Sequence, residues 1–194
     1  GDMARADRIA FAEEVRANRP SQEAAEASFR RVDEDEAADP AFLELVARLR
    51  DAVAQRPDDL QGHILLTQTE ARLGNFAAAA RAQAGIVRIR ADNVSVTELS
   101  DYAELLVIAA GGYVSPEAEQ VLRAALDLDE TDGRARYYIG LMRLQTGRPD
   151  ITFRLWDQLL RRGPADAGWI APIQQQIEQV AALAGVRYEI PAVG

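Results

Sequence analysis

The chain has 194 residues, and its 48% hydrophobic content is ordinary for a protein with one globular core. It contains no cysteine, which excludes disulfides, thiolate metal sites and a cysteine nucleophile. The formal net charge of −9 argues against a surface for nucleic acid or anionic membranes and favours a neutral or basic partner. No apolar run approaches the length that spans a membrane.

The N-terminal residues differ in composition from the rest of the chain. Apolar residues at helical spacing in 9–15 predict a short helix that ends before Asn18. A second, polar helix is predicted from Gln22 to Arg31. The acidic run Asp33–Glu36 is typical of a solvated linker, with an acidic binding patch as the alternative. We therefore expect residues 1–40 to be a polar, partly helical arm with few contacts to the main core.

Residues 41–185 carry helical periodicity throughout, and proline and glycine fall at the ends of the periodic stretches. This pattern predicts one all-α domain, followed by a short tail at 186–194. Thr97 is the expected N-cap of the helix that it precedes. The predicted helices are Phe42–Gln55, Leu60–Leu73, Phe76–Arg90, Thr97–Ala110, Pro116–Leu128, Arg134–Thr146, Asp150–Arg162 and Trp169–Leu183.

Some of these helices repeat as pairs. The segments Leu99–Asp132 and Gly133–Asp166 are two copies of one 34-residue hairpin pattern, and a fainter copy starts at Leu60. The first copy precedes the second by 39 residues, which predicts about five extra residues around 91–96. Proteins built in this way stack helix pairs and bind partners along a concave face.

The third copy carries the most specific residues: Ile139–Gly140, Gly147, Trp156 and Pro164. This pattern resembles the tetratricopeptide repeat. The resemblance implies a right-handed superhelix of about three hairpins, capped by the helix Trp169–Leu183. Gly140 is expected to let two helices approach closely, and Gly74 and Gly147 are expected to form turns.

In tetratricopeptide folds, the first helix of each hairpin lines the concave groove. The corresponding positions here form an apolar strip with polar flanks, an arrangement suited to binding a partner helix. The alternative is that Tyr137 and Leu144 only pack against neighbouring helices. Arg72 and Arg134 are expected to be available for a terminal carboxylate. The candidate groove residues are Gln61, Ile64, Gln68, Arg72, Ala103, Val107, Arg134, Tyr137, Leu141 and Leu144.

Signals for catalysis are weak. His63 is the single histidine, so a histidine-rich metal site is excluded, and its place in the repeat favours a packing role. Gly111–Gly112 lacks the residues that a phosphate-binding loop requires downstream and is interpreted as a turn. We predict no catalytic residue, no metal ligand and no cofactor.

Several longer tracts are more idiosyncratic than the repeat itself. They are Ala17–Gln22, Arg56–His63, Ala109–Ala118, Ala135–Leu141, Gln145–Pro149 and Leu183–Tyr188. These tracts resemble the periplasmic part of the c-type cytochrome biogenesis proteins called CcmI or CycH in alphaproteobacteria.

That resemblance implies a non-enzymatic chaperone that binds the C-terminal helix of apocytochrome c and presents it to the haem-ligation complex. It also implies a periplasmic location, with an inner-membrane anchor upstream of residue 1. Two alternatives remain open: a tetratricopeptide scaffold for another envelope assembly, and a carboxylate-based enzyme. The enzyme would bury a carboxylate pair with strongly perturbed pKa values, whereas a binding protein would show an open, partly apolar groove.

Overall fold

A computed structural model of the chain describes residues 5–29 and 39–189. The described residues form ten α-helices and no strand, so the predicted all-α, tetratricopeptide-like class is confirmed. In chain order, the helices are α1 (Arg5–Ala17), α2 (Gln22–Phe29), α3 (Pro40–Gln55), α4 (Leu60–Arg72), α5 (Phe76–Arg90), α6 (Val96–Ala109), α7 (Pro116–Leu128), α8 (Gly133–Gln145), α9 (Pro149–Arg162) and α10 (Ile170–Leu183).

The described residues divide into two compact units, one within Ser21–Leu128 and the other within Gly1–Pro20 and Asp129–Gly194. The acidic run Asp33–Glu36 and the end of the tail at 190–194 lie outside the described residues. In the part of the chain that the structure describes, no helix combines the length and the apolar character needed to cross a membrane.

Within Ser21–Leu128, α4 packs on α5 and α6 packs on α7, which confirms the first two predicted hairpins. Alanines on the buried face of α5, including Ala79 and Ala80, let its neighbours approach closely. The side chain of Leu122 is fully buried on α7. The positive φ of Gly74, 77°, confirms the predicted turn between α4 and α5, because this conformation favours glycine.

The start of α6 differs from the prediction. Its N-cap is Ser95 and not Thr97. The Ser95 hydroxyl accepts a hydrogen bond from the Glu98 backbone N–H at 3.2 Å. The Glu98 carboxylate accepts one from the Ser95 backbone N–H at 2.8 Å. This reciprocal capping box satisfies two amides at the helix start, which a cap at Thr97 cannot do.

The helix α2 makes a few contacts with α6 and α7, and these include a buried hydrogen bond. Gln22 and Ala25 are buried. The Gln22 side-chain amide donates a hydrogen bond to the Leu106 carbonyl at 2.8 Å, and the Gln22 backbone N–H donates one to Glu117 at 3.0 Å. These polar contacts were not recognised because α2 has few apolar residues.

In the other unit, the hairpin of α8 and α9 closes around Trp156, which is fully buried. A Cβ at position 140 would overlap the indole ring, so the predicted role of Gly140 in close helix approach is confirmed. The indole Nε1–H donates a hydrogen bond to the Tyr137 carbonyl at 3.1 Å. The helix α10 covers α9 with Ile173 and Ile177, which are fully buried, as the predicted capping helix requires.

The described part of the tail is anchored on this core. The Tyr188 ring packs edge-on against Phe153 with 4.9 Å between ring centroids. Its hydroxyl donates a hydrogen bond to Asp157 at 2.7 Å. Burial and the Asp157 carboxylate raise the pKa of Tyr188, so this donor keeps its proton across the physiological range.

Candidate peptide-binding groove

An open groove of about 360 Å³ lies within the Ser21–Leu128 unit, between α4 and α6. Each wall consists of one helical stripe with residues at i, i+3, i+4 and i+7, which all lie on the same face of a helix. The α4 wall is formed by Ile64, Thr67, Gln68 and Ala71, and the α6 wall by Asp101, Glu104, Leu105 and Ile108. Gln83 and Ile86 of α5 form the floor.

Hydrogen bonds hold the floor in place at the end nearest the start of α6. The buried Gln83 amide donates a hydrogen bond to the Glu98 carbonyl at 3.0 Å. The Glu98 carboxylate also lines the groove and is 2.9 Å from the Arg90 guanidinium. Burial raises the pKa of Glu98, but hydrogen bonds from Ser95 and Arg90 outweigh burial and lower it overall. Glu98 is therefore ionised near neutral pH, and Arg90 neutralises its charge.

The candidates on α4 divide into two pairs. Ile64 and Gln68 are among the residues that line the groove. Gln61 and Arg72 are exposed on the same helix but lie outside the lining. The predicted use of Arg72 as a carboxylate ligand is not tested by this geometry and stays a prediction.

The structure places the candidates on α6 away from this groove. Ala103 is fully buried and Val107 is 2% exposed, so neither side chain reaches the groove. The observed stripe lies two residues closer to the N-terminus, with Asp101 in place of Ala103 and Leu105 in place of Val107.

The predicted and observed stripes on α6 differ because the repeat alignment put the extra residues of the second hairpin in the wrong connection. The repeat alignment put all of them before α6, around the short 3₁₀ turn Ala91–Asn93. In the structure the connection between α6 and α7, Gly111–Ser115, is three residues longer than the turn Gly74–Asn75 between α4 and α5. Gly111 has a φ of 66° and matches Gly74. Aligning these two glycines aligns Ile64 with Asp101 and would have found the observed stripe.

The candidates on α8 belong to the other unit. Arg134, Tyr137, Leu141 and Leu144 are each partly buried. Three of them pack against the core around Trp156, and the Tyr137 ring stacks on the indole with 5.4 Å between centroids. The buried parts of Tyr137 and Leu144 therefore pack against neighbouring helices, as the alternative interpretation of these residues states.

His63 has the packing role that its place in the repeat favours. Its ring is 9% exposed and lies directly over Gly85 of α5, where a Cβ would overlap it. His63 Nε2 is 2.9 Å from the Pro57 carbonyl oxygen. Because a carbonyl only accepts hydrogen bonds, Nε2 carries the proton.

The two buried carboxylates among the described residues are both bound by arginine. Glu70 accepts hydrogen bonds from Arg50, one of them at 2.8 Å, and from the Asn75 amide at 3.1 Å. Glu119 accepts from Arg123 at 2.7 Å. Burial raises the pKa of Glu70, but the hydrogen bonds from Arg50 and Asn75 and the charge of Arg50 lower it overall. This environment keeps Glu70 ionised, the state of a structural ion pair and not of a general acid.

No group of three or more His, Cys, Asp or Glu side chains in the described part of the chain is arranged to hold a metal ion. A second cavity, of about 640 Å³, lies beside α2 in the Ser21–Leu128 unit. Its lining includes Glu26, Phe29, Arg81 and Ile108. Sequence reasoning missed it because α2 was expected to stand apart from the core.

The amino-acid sequence of the chain is similar to those of known proteins. Over 136 residues, 70% of the chain, it is 33% identical to the cytochrome c-type biogenesis protein CycH of Bradyrhizobium diazoefficiens. Over 138 residues, 71% of the chain, it is 33% identical to the protein of the same name from Rhizobium meliloti. The chain is a homologue of CycH. It spans 36% of the length of each of these CycH proteins. No family model matches the chain, and no solved structure matches it significantly.

The homology to CycH confirms the resemblance that the sequence tracts indicated. The matched region covers about 70% of the chain. The similarity assigns no role to any single residue of the groove.

Proposed function

We propose that this chain acts in cytochrome c maturation as a non-enzymatic chaperone that holds apocytochrome c. The names of the CycH relatives suggest the pathway. The observation that carries the proposal is the groove between α4 and α6, whose two stripes face one another across a floor formed by Ile86 and Gln83. Such a groove suits an amphipathic helix, which anchors by apolar side chains at i, i+3 or i+4, and i+7.

The dimensions of the groove fit a short helical segment. Ile64 and Ala71 are seven residues apart on α4, which corresponds to about 10 Å along a helix axis. The apolar side chains of Ile64, Leu105 and Ile108, with Ile86 beneath them, provide the anchoring surface. An apocytochrome exposes apolar helix faces that its folded, haem-containing form buries, so this surface would distinguish the two forms.

In this proposal, the bound segment is the C-terminal helix of apocytochrome c, which the chain presents to the haem-ligation complex. The proposed location is the periplasm, with tethering to the inner membrane through the rest of the protein. Because both buried carboxylates are engaged by arginine, binding is favoured over the carboxylate-based enzyme.

Titration calorimetry with apocytochrome c, holocytochrome c and a synthetic peptide of the C-terminal helix tests this function. We expect binding of the apo form and the peptide, and at least tenfold weaker binding of the holo form. Binding of neither the apo form nor the peptide would contradict the proposal and favour a scaffold for another envelope assembly.

A matched pair of truncations tests the groove. Ile64 lines it, whereas its neighbour Leu65 is 53% exposed outside the lining. Ile64→Ala should weaken apocytochrome binding by about tenfold, the effect of losing about 1.4 kcal/mol of apolar contact. Leu65→Ala should leave the affinity within about twofold. Equal losses in both variants would place the binding surface elsewhere. Tyr137→Ala is a poorer test, because Tyr137 also stacks on Trp156.

A further inference from the structure

The cavity of about 640 Å³ beside α2 continues the groove beyond the C-terminal ends of its two walls. On α6, Ile108 lines both the groove and the cavity, and the adjacent Ala109 lines the cavity. On α4, the last residue of the groove wall is Ala71, and Gly74, in the turn after α4, lines the cavity. A helix that lies in the groove and extends past Ile108 therefore reaches the cavity.

One part of the cavity lining is apolar. It is formed by partly buried residues at the start of α5 and at the end of α6. These residues are Phe76, Ala77, Ala78, Ile108 and Ala109. The charged part of the lining consists of two carboxylates and two guanidinium groups. Because these charges balance, the cavity favours an apolar side chain over a charged one.

The helix α2 forms another wall of the cavity and is attached at both of its ends to the rest of the unit. At its start, the Gln22 side chain donates a hydrogen bond to α6 at 2.8 Å. At its end, the Phe29 ring lies where a Cβ on Gly111 would be. Between these attachments, Glu23 and Ala27, which share a face of α2, line the cavity. Without α2, the cavity would lose this wall.

We propose that the cavity is an extension of the groove, that it takes one further apolar side chain of the bound helix, and that α2 holds this side chain in place. This inference rests on the proposed function and specifies the length and the apolar pattern of the client segment. The groove takes anchors at i, i+3 or i+4, and i+7. The further anchor lies one turn beyond them, at i+11, so the bound helix has about three turns or more and one continuous apolar stripe.

The physical reason is removal of apolar surface from water. A side chain that projects past the end of an open groove stays hydrated, whereas one enclosed between α2, α5 and α6 loses much of its contact with water, which is favourable. The buried residues of α2, Gln22 and Ala25, do not line the cavity. The wall is therefore in place before the client binds, and no ordering of α2 opposes binding.

Three synthetic amphipathic peptides of about four turns test the extension by titration calorimetry. The first has leucine at i, i+4, i+7 and i+11. The second has glutamine at i+11 and the third has glutamine at i, so that either direction of the helix in the groove is covered. Each peptide is titrated against the intact chain and against Ala77→Leu, which places a larger side chain in the lining of the cavity. Ala54→Leu is the control, since Ala54 is exposed on α3 and lies outside both linings.

We expect the four-leucine peptide to bind Ala77→Leu about tenfold more weakly than it binds the unaltered chain or the control, the effect of excluding one leucine side chain. One of the two glutamine peptides, the one that has glutamine at the end facing α2, should bind all three proteins alike. Circular dichroism checks that each variant keeps its helical content.

A matched pair of substitutions on α2 tests its role as a wall. Ala25→Glu places a carboxylate at a buried position and should detach α2, whereas Ala24→Glu makes the same change at an exposed neighbour. Ala25→Glu should weaken binding of the four-leucine peptide by about tenfold, and Ala24→Glu should leave it within about twofold. Tighter binding to Ala25→Glu would overturn the proposal, because it would mean that α2 competes with the bound helix.

The proposal is also overturned if the four-leucine peptide does not bind the unaltered chain, or binds it no more tightly than both glutamine peptides do. If apocytochrome c still binds and Ile64→Ala still weakens it, the proposed function survives that result. If the peptides show the expected pattern but apocytochrome c does not bind, the extension of the groove holds and the client is a different protein.

Discussion

Two hairpins of this chain, α4–α5 and α8–α9, are closed by the same device placed on opposite helices. In the first, the ring of His63 on α4 lies over Gly85 of α5. In the second, the ring of Trp156 on α9 lies over Gly140 of α8. A flat ring on a glycine brings two helices together closely, and either helix of the pair can supply the ring.

The difference lies in what surrounds each ring. Trp156 is the centre of an apolar cluster, and the half-buried Tyr137 and Leu144 of α8 pack against it. His63 is polar and is hydrogen-bonded to Pro57, and the ion pair of Glu70 with Arg50 joins α4 of this hairpin to α3.

The comparison teaches why corresponding repeat positions serve different roles. The groove-facing positions of α8 contribute to a core, whereas those of α4 remain available to line an open groove. A binding surface is therefore expected where the core does not need the same side chains.

The largest expected effect is on Trp156. Replacing it with alanine should destabilise the chain by about 3–5 kcal/mol, because a fully buried aromatic ring leaves a large cavity. His63→Ala removes a smaller ring and should cost less, about 1–3 kcal/mol. Urea unfolding followed by circular dichroism measures both. Equal losses would mean that the two rings support their hairpins to the same degree.

Substitution of the glycines beneath the two rings tests whether the contact between ring and glycine needs the space that a Cβ would fill. Alanine favours a helix over glycine by up to about 1 kcal/mol, yet Gly140→Ala and Gly85→Ala should each destabilise the chain by about 1–3 kcal/mol through overlap with the rings. Gly168→Ala is the control, since a Cβ there meets no atom within 4 Å. Thermal unfolding measures the stability of the three variants relative to the unaltered chain. Stabilisation by Gly140→Ala or Gly85→Ala would show that the ring contact is loose.

The smallest expected effect concerns the ion pair of Glu70 with Arg50, which joins α4 of the first hairpin to α3. At pH 7, Glu70→Gln should cost about 1–2 kcal/mol, because Arg50 is partly solvated and keeps some of its hydration. The pKa of Glu70 is lower in the folded chain than in the unfolded chain. Its contribution is therefore fully present above the normal carboxyl pKa and is lost as the pH falls through the lowered value.

Unfolding curves of both proteins at pH 7 and at about pH 3 check this dependence. The stability difference between the unaltered chain and Glu70→Gln should shrink at the lower pH. A difference that grows on acidification would contradict the assigned direction of the pKa shift.

Much of the fold follows from local sequence alone. Periodicity predicted the helices from α3 to α10, because burial of one helix face repeats every 3.6 residues and proline and glycine mark its ends. The close approach at Gly140 and the packing role of His63 also followed from their places in the repeat. The docking of α2 did not, because it depends on buried hydrogen bonds such as that from Gln22 to Leu106, which leave no periodic pattern.

The lining of the groove was decided by tertiary structure. Local periodicity determines that α6 is a helix and which of its faces is apolar, but not which face turns toward α4. That choice depends on the lengths of the connections on both sides of α6, which the repeat alignment divided wrongly. Each residue turns a helix by about 100°, so a register error of two residues turns it by about 200°. This rotation exchanges the buried Ala103 and Val107 for Asp101 and Leu105, the residues that face the groove.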